Sequence, residues 1–384
     1  MRVTHVLNRL NFLDGGPPRG VVDLCEAVYS RGHEVNLITT DDVDVPNSWR
    51  GRIHVEKIMG PDLPLGFFSR KALRSSISLI QESELVHFHG VWERLNHQLA
   101  SAARRSSVPY VITLRGMLDD WSMSQGGWYK RLFLALYGQR YLDNASRIQC
   151  TAQGERIQSS KWFPRTTPVV IPNLMDLSGF QELPDSTEAL DTFGDRLTSP
   201  ALLFLSRIHE KKGIEYLIQS MKLILEKYPS CNLLIAGDGA ESYIQKLKLL
   251  ANELNVSDHV HWVGHVGGTL KNSLFSASDL FVLPSSQENF GFVLFESMVA
   301  GTPVLVSNLV DTAEDIEACG GGVQISQDPQ SIASSVFALL SDPSAISRMG
   351  TQGREWVLQN LDGQKVALRV EEMYLDAVAP SIST

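Results

Sequence analysis

Two glutamates eight positions apart, Glu288 and Glu296, lie in a stretch that could put both to chemical use: Pro284-Ser-Ser-Gln-Glu-Asn-Phe-Gly-Phe-Val-Leu-Phe-Glu-Ser-Met-Val-Ala-Gly-Thr-Pro303. Before it, Ser278-Asp279-Leu280-Phe281-Val282-Leu283 reads as a buried parallel strand ending at a proline. After Gly291 the spacing is that of an amphipathic helix, stopped by Gly301-Thr302-Pro303. At 1.5 Å per residue, the two carboxylates can stand up to roughly 12 Å apart, a span that suits the two ends of a sugar nucleotide. Between them Asn289, Phe290 and Gly291 offer backbone N–H groups at a helix N-terminus, which favours anionic and hydroxyl-rich ligands.

A second constellation is cationic. The apolar run 201–205 is followed by Ser206-Arg207-Ile208-His209-Glu210-Lys211-Lys212-Gly213 and then by helical spacing from about Ile214. Arg207 can fork onto phosphate oxygens and Lys212 can act as a point charge, a way to hold a diphosphate without a metal. Glycine turns close other strand-like runs. Asp14-Gly15-Gly16-Pro17-Pro18-Arg19-Gly20 opens a helix over about 21–31, although the prolines lack N–H groups, leaving Gly15, Gly16 and residues after Pro18 as donors. Gly237-Asp238-Gly239 follows the run 233–236, and Val263-Gly264-His265 follows 260–262.

In this embedding the Glu-x7-Glu pattern, with Glu296-Ser-Met-Val-Ala-Gly-Thr-Pro-Val304, resembles the signature of glycosyltransferase family 4. The resemblance runs from Gly15 to the last helix. It implies a GT-B fold: two Rossmann-like α/β domains facing a central cleft, with the C-terminal helix crossing back to the first. It also implies a retaining, metal-independent transfer of a hexose-type sugar from a nucleoside diphosphate, with UDP favoured and GDP open. The acceptor would be a saccharide or lipid-linked hydroxyl. Arg207, Lys212 and Glu288 carry the catalytic expectation, joined by His89 from His87-Phe88-His89-Gly90. Donor contacts fall to Gly15, Gly16, Gly237, Val263, Asn289, Phe290, Gly291 and Glu296, with Glu288 on sugar hydroxyls and Glu296 on the ribose. Arg115 and Asp119, after the run 110–114, are acceptor candidates, and for Arg115 an ordinary salt bridge stands as an equal reading.

The elements that must position these groups are legible as alternating strands and helices. Strands are expected over 3–7, 34–40, 53–58, 85–89, 110–114, 147–151 and 168–171, and helices over 70–81, 94–106, 128–143 and 155–161. This is a parallel sheet covered on both faces, whose ligands sit at the carboxyl ends of strands. The polar, proline-bearing stretch to about Pro200 reads as a connection. Residues 1–180 with a C-terminal helix of about 362–384 then form one domain, and 181–361 the other. The last three helices are expected over 329–340, 344–359 and 364–378.

Length and composition fit an ordinary enzyme of two to three domains, with 384 residues and 43% apolar side chains. No run approaches a bilayer-spanning length and the N-terminus has no apolar leader, so the expected location is cytoplasmic, with peripheral contact at the inner face of the membrane as an extension. Residues 1–180 carry 21 Lys and Arg against 17 Asp and Glu, a balance of +4, whereas 181–384 carry 13 against 26, or −13. The first half tolerates an anionic surface better. Two of its segments, 67–74 and 128–137, mix aromatic, apolar and basic residues, and read either as core helices with snorkelling cations or as a patch for anionic lipid.

Other chemistries fit less well. Four scattered cysteines form no C-x-x-C pair and read as reduced thiols. His259, His261 and His265 match no common zinc spacing, and Asp42-Val43-Asp44 lies in polar loop, so neither metal nor cofactor is expected. The Gly-Gly-Pro-Pro loop is not the G-x-G-x-x-G of a dinucleotide enzyme. A sugar-nucleotide epimerase lacks a clear acid/base pair, and a non-catalytic binding protein would be expected to lose Arg207, Lys212 or Glu288. No nucleic-acid partner is indicated. Oligomeric state, sugar and acceptor stay open.

Overall fold

The computed structural model describes residues 1–379, so the final positions of the expected helix 362–384 lie outside the described residues. The chain divides into two compact units, Met1–Asp176 together with the segment from Leu361 onward, and Leu177–Asn360.

The first unit is built on seven parallel strands: β1 (Arg2–Val6), β2 (Glu34–Thr39), β3 (His54–Lys57), β4 (Leu85–His89), β5 (Tyr110–Thr113), β6 (Arg147–Cys150) and β7 (Pro168–Val170). Their order across the sheet is β3-β2-β1-β4-β5-β6-β7. In the second unit β8 (Ala201–Leu205), β9 (Asn232–Ala236), β10 (Val260–Gly264), β11 (Leu280–Leu283), β12 (Val304–Ser307) and β13 (Gly322–Ile325) form a parallel sheet in the order β10-β9-β8-β11-β12-β13. Both sheets are Rossmann-like, and the direction of strand addition reverses between β1 and β4 and between β8 and β11. Beside such a reversal the loops at the carboxyl ends splay apart and leave a crevice.

Sequence and fold agree for a physical reason. Strands β5, β9, β11 and β12 are buried at every position, so they read as continuous apolar runs rather than alternating ones. The helices that cover them bury one stripe each. Ile214–Lys227 buries Ile214, Leu217, Ile218, Met221 and Ile224 at three- and four-residue spacing. The helix Gly363–Val378 buries Val366, Val370, Met373, Tyr374 and Ala377 in the same core as Val21, Leu24, Cys25 and Val28 of the helix Gly16–Ser30, returning the chain to the first sheet. Glu371 ties the two helices by binding Arg31 and, at 3.0 Å, His33.

One stretch differs from expectation. The polar connection contains a helix, Thr187–Phe193, whose Ala189 N–H donates to Ser273 Oγ at 2.9 Å. Its single buried residue, Ala189, left too little apolar periodicity to signal it. All four cysteines are free thiols.

Candidate active site

In the second unit the loops after β8 and β11 flank the strand reversal and are stitched together. Ser286 N–H donates to the Lys211 carbonyl at 2.7 Å, and from the loop after β13 Gln327 Nε2 donates to the Pro284 carbonyl at 2.7 Å. Gly213 sits at φ 65°, and a Cβ there would lie 2.2 Å from the Pro284 carbonyl oxygen, so only glycine lets the loops approach this closely. The loop after β9 is held as tightly. Gly237 has φ 136° and a Cβ on it would meet the Ser206 carbonyl oxygen at 1.9 Å. The Ile208 N–H donates to the Asp238 carbonyl at 2.7 Å.

These loops enclose a cavity of about 280 Å³ lined by Arg207, His209, Lys211, Lys212, Gln287 and Glu288. Three of the sequence-derived residues thus share one cavity. Lys212 is buried to 9% exposure, and its Nζ donates to Glu288 Oε2. Arg207 is exposed, its guanidinium available to solvent and to ligand. The lining carries one carboxylate against two lysines and an arginine, so it favours an anion.

Around the cavity, Asn289 Nδ2 donates to Asp311 Oδ2 at 3.2 Å, and the Phe290 side chain is buried against Phe292 and Phe295, ring centroids 5.0 and 4.7 Å away. The side chain of Phe290 is therefore a packing anchor. Its carbonyl accepts from Thr312 Oγ1 at 3.0 Å, fixing the turn that presents Gly291, at φ 70°, to the helix Phe292–Val299. On that helix Glu296 Oε1 pairs with Lys271 Nζ at 2.7 Å, and both side chains are about a quarter exposed. Val263 lies half-buried near the end of β10, where the Gly237 N–H donates to the Gly264 carbonyl at 2.7 Å.

In the first unit, Gly15 has φ 106° and donates its N–H to the Phe12 carbonyl at 3.2 Å, while Gly16 begins the helix Gly16–Ser30. Gly15 is thus committed to the turn, and Gly16 is the amide left at the helix start. His89 ends β4 with 2% exposure. Its Nδ1 accepts from Arg115 Nη2 at 3.3 Å, and its Nε2 lies 3.0 Å from His5 Nδ1. A guanidinium only donates, so His89 carries its proton on Nε2 and donates to His5. His87 belongs to a parallel chain: Tyr374 Oη donates to His87 Nδ1 at 2.7 Å, His87 Nε2 to Thr113 Oγ1 at 2.6 Å, and Thr113 to Gln149 Oε1 at 2.8 Å. Burial drives all three histidines well below the usual imidazole pKa, His5 to about 3, with Arg115 adding to the effect. The ligand atoms of the trio come within 4.8 Å of one another in metal-like proximity, yet both nitrogens of His87 and His89 and the Nδ1 of His5 are engaged in these bonds beside a guanidinium, which suits a neutral network. His5 Nε2 is buried without a partner among the described residues.

Arg115 itself stands at φ 56° and divides its fork between His89 and Asn173 Oδ1, the latter at 3.2 Å. Burial lowers its pKa to about 10, with Glu155 opposing. Glu155, fully buried, holds this turn by accepting from the N–H groups of Gly116 and Thr151. Asp119, with 1% exposure, caps the short helix Asp120–Ser124 by accepting from the Ser122 N–H. Within their unit, His89 and Arg115 are brought into contact, and Asp119 is committed to its cap.

The metal-like patterns do not converge. Asp42 pairs with Lys57, whereas Asp44 accepts from the Phe12 N–H at 2.6 Å. His259 bonds the Cys231 carbonyl, His261 bonds Asn232, and His265 lies 3.8 Å from Asp238. Residues that the sequence did not single out as site residues are Lys271, Glu155, His5 and Tyr374. Lys271 carried no signal beyond a helix start, and the others act through partners far away in sequence.

Two family profiles match the chain, the glycosyl transferase 4-like domain over residues 15–173 and glycosyl transferases group 1 over 186–356. The chain is a GT4-type glycosyltransferase. An uncharacterized glycosyltransferase of Methanocaldococcus jannaschii is 27% identical to it over 83% of each chain. An alpha-monoglucosyldiacylglycerol synthase of Streptococcus pneumoniae is 23% identical over 91% of this chain and 79% of that one. Anabaena HepE, solved in complex with UDP, superposes with a TM-score of 0.80 at 18% identity, covering 97% of this glycosyltransferase and 99% of HepE. That likeness is one of fold, and the fold is GT-B.

Proposed function

We propose that this glycosyltransferase moves a hexose-type sugar, with retention, from UDP to a hydroxyl of a saccharide or lipid-linked acceptor without a divalent metal. The observation that carries the reading is the cavity of Arg207, Lys212 and Glu288 beside the β8/β11 reversal. Negative charge grows on the diphosphate as the glycosidic bond breaks, and fixed cations that need no reorganisation lower that barrier. Arg207 holds the phosphate oxygens, and Lys212, oriented by Glu288, supplies a buried charge. Glu288 then turns its other lone pairs to sugar hydroxyls, and Glu296 with Lys271 binds the ribose. The departing phosphate oxygen takes the acceptor proton, which delivers the hydroxyl to the face that the diphosphate leaves.

The UDP preference draws on HepE, solved with UDP, and the lipid-linked acceptor on the diacylglycerol-based synthase. No helix among the described residues is long and apolar enough to cross a membrane, and a lipid-linked acceptor would be met by peripheral contact, for which the cytoplasmic face is the side we propose. Charge compensation by the three cations of the cavity, Arg207, Lys211 and Lys212, is what makes a metal dispensable in this reading. Titration calorimetry with UDP, GDP and ADP, with and without EDTA, tests it. The expected result is UDP binding that survives EDTA. Binding lost in EDTA, or a stronger affinity for another diphosphate, overturns the metal-independence or the donor assignment respectively.

A further inference from the structure

A cavity of about 580 Å³ in the first unit opens between the helices Arg74–Glu82 and Arg94–Arg105 and the helical run 134–143. Its lining includes Arg70, Arg74, Arg104, Arg105 and Arg140 and no acidic side chain. Among the described residues, none of the five forms an ion pair with a carboxylate. Arginines so gathered repel one another, and a protein of net charge −9 has carboxylates to spare for neutralising them. The groove is left with charge that an anionic occupant would neutralise.

The rim is apolar and exposed. Leu136 is 64% and Tyr137 44% exposed on the groove itself. Leu65, at 78%, stands two residues before Phe67 of the lining, and Trp128 and Leu132, at 76% and 47%, continue the helical run. The Arg94 guanidinium lies over the Phe67 ring, its Cζ 4.5 Å from the centroid, adding a sixth cation beside this lining residue. Arginines for phosphate beside exposed aromatic and aliphatic side chains for acyl chains is the composition of an interfacial surface.

We propose that this groove is a docking site for anionic phospholipid, the arginines binding headgroup phosphate and Leu65, Leu136 and Trp128 entering the acyl boundary. It deepens the peripheral contact proposed above by naming the site and the lipid class, and it rests on the first unit alone, independent of the donor cavity. Of the two readings of the aromatic-basic segments, the structure favours the lipid surface for this face: Phe68 and Phe133 are core, while Trp128, Leu132 and Leu136 are not.

The test is co-sedimentation of the full chain with vesicles of phosphatidylcholine alone and with about a third phosphatidylglycerol, in parallel with UDP calorimetry. Binding is expected to the anionic vesicles only and to weaken with salt. Removing two interfacial cations, Arg74→Ala with Arg105→Ala, should lower the partition coefficient roughly 20- to 30-fold. Leu136→Ser should lower it several-fold while leaving its salt dependence in place. Neither variant should change UDP affinity, and the thermal melt of the first unit, followed by circular dichroism, should match the parent's, which reports that the variant is folded. Equal binding to both vesicle types, or full binding by the double variant, overturns the proposal. So does displacement of the protein from vesicles by millimolar inorganic phosphate at constant ionic strength, which would assign the groove to a soluble phosphate ester. Failure of UDP to bind the parent chain bears on the donor reading and leaves the vesicle result to stand or fall by itself.

Discussion

Lys212 and Glu288, 76 positions apart, are joined by an ion pair that spans the reversal of the second sheet, one from the loop after β8 and the other from the loop after β11. The side chains are 11% and 29% exposed, so the pair lies at the cavity wall with the lysine the deeper partner. A lysine buried there without a carboxylate would carry a desolvation cost, and Glu288 offsets it while fixing where the ammonium points. The pair is thus a device for keeping a positive charge beside the space where a diphosphate would sit.

Removing that charge should be felt in turnover more than in folding. Lys212→Ala is expected to reduce transfer by about 10² to 10³, the range for loss of one preorganised group that stabilises developing charge. Lys212→Arg should recover only part of it, because a planar fork does not reproduce a point charge in this cavity. Steady-state rates with a UDP-sugar and thermal melts of each variant separate the two effects. Retained turnover in Lys212→Ala would remove the lysine from the mechanism.

The turn that brings the loops together should resist any side chain. Gly237→Ala places a methyl 1.9 Å from the Ser206 carbonyl oxygen at φ 136°, and the backbone must shift. A loss of stability well above about 1 kcal/mol is expected, together with weaker nucleotide binding, since Arg207 follows Ser206 directly. Denaturant unfolding and UDP calorimetry on one sample check both.

The first unit should lose stability in acid through its histidines. An unfolded histidine takes a proton near 6.5, whereas His5 in the fold resists protonation down to about 3. Its contribution is therefore complete above pH 6.5 and is withdrawn as pH falls from there toward 3. The loss is up to about 1.4 kcal/mol per pH unit for each such histidine. His87 and His89 act in the same direction. Urea midpoints between pH 7.5 and 5 should fall in the parent and fall less steeply in His5→Gln. Identical slopes would show that the trio does not govern the acid response.

Much of this was legible in the sequence, and the omissions share a cause. Parallel strands buried on both faces announce themselves as apolar runs, and Gly213, Gly237 and Gly291 mark the turns after them, where φ is positive and a Cβ would strike a neighbouring atom. Arg207, Lys212 and Glu288 could be grouped because each lies in the loop that leaves the carboxyl end of such a strand. The roles of His89 and Arg115 could not be read this way. Their environment is set by His5, 84 residues from His89, and by Tyr374, 287 residues from His87, and no local spacing encodes such partners. Asp119 did carry a signal, an aspartate three residues before Ser122 at a helix start, which is the pattern of a cap.

Glu155 should prove the structural hinge of the Arg115 turn. It accepts the N–H groups of Gly116 and Thr151 and, at 3.1 Å, the Thr151 hydroxyl. Glu155→Ala would strand buried donors at a cost of about 1–3 kcal/mol each before any relaxation, so a drop in melting temperature is expected. Glu155→Gln, which keeps one acceptor oxygen, should lose less. Equal melting temperatures for the parent and the alanine variant would show that the turn holds itself.

The last prediction separates the two glutamates. If Glu296 binds ribose hydroxyls, the parent chain should prefer UDP over 2′-deoxy-UDP, and Glu296→Ala should bind the two alike. Lys271 Nζ, 2.7 Å from Glu296 Oε1, steadies the carboxylate, so Lys271→Met should narrow the preference without abolishing it. Hydrogen bonds to a charged group contribute about 1.5–3 kcal/mol, which sets the expected preference at roughly 10- to 150-fold. Glu288→Ala should leave that ratio unchanged and depress turnover instead, because its proposed contact is with the sugar. Equal affinity of the parent for UDP and 2′-deoxy-UDP would place the ribose elsewhere and leave the Lys271–Glu296 pair a purely structural tie between the helices Gly268–Ser276 and Phe292–Val299.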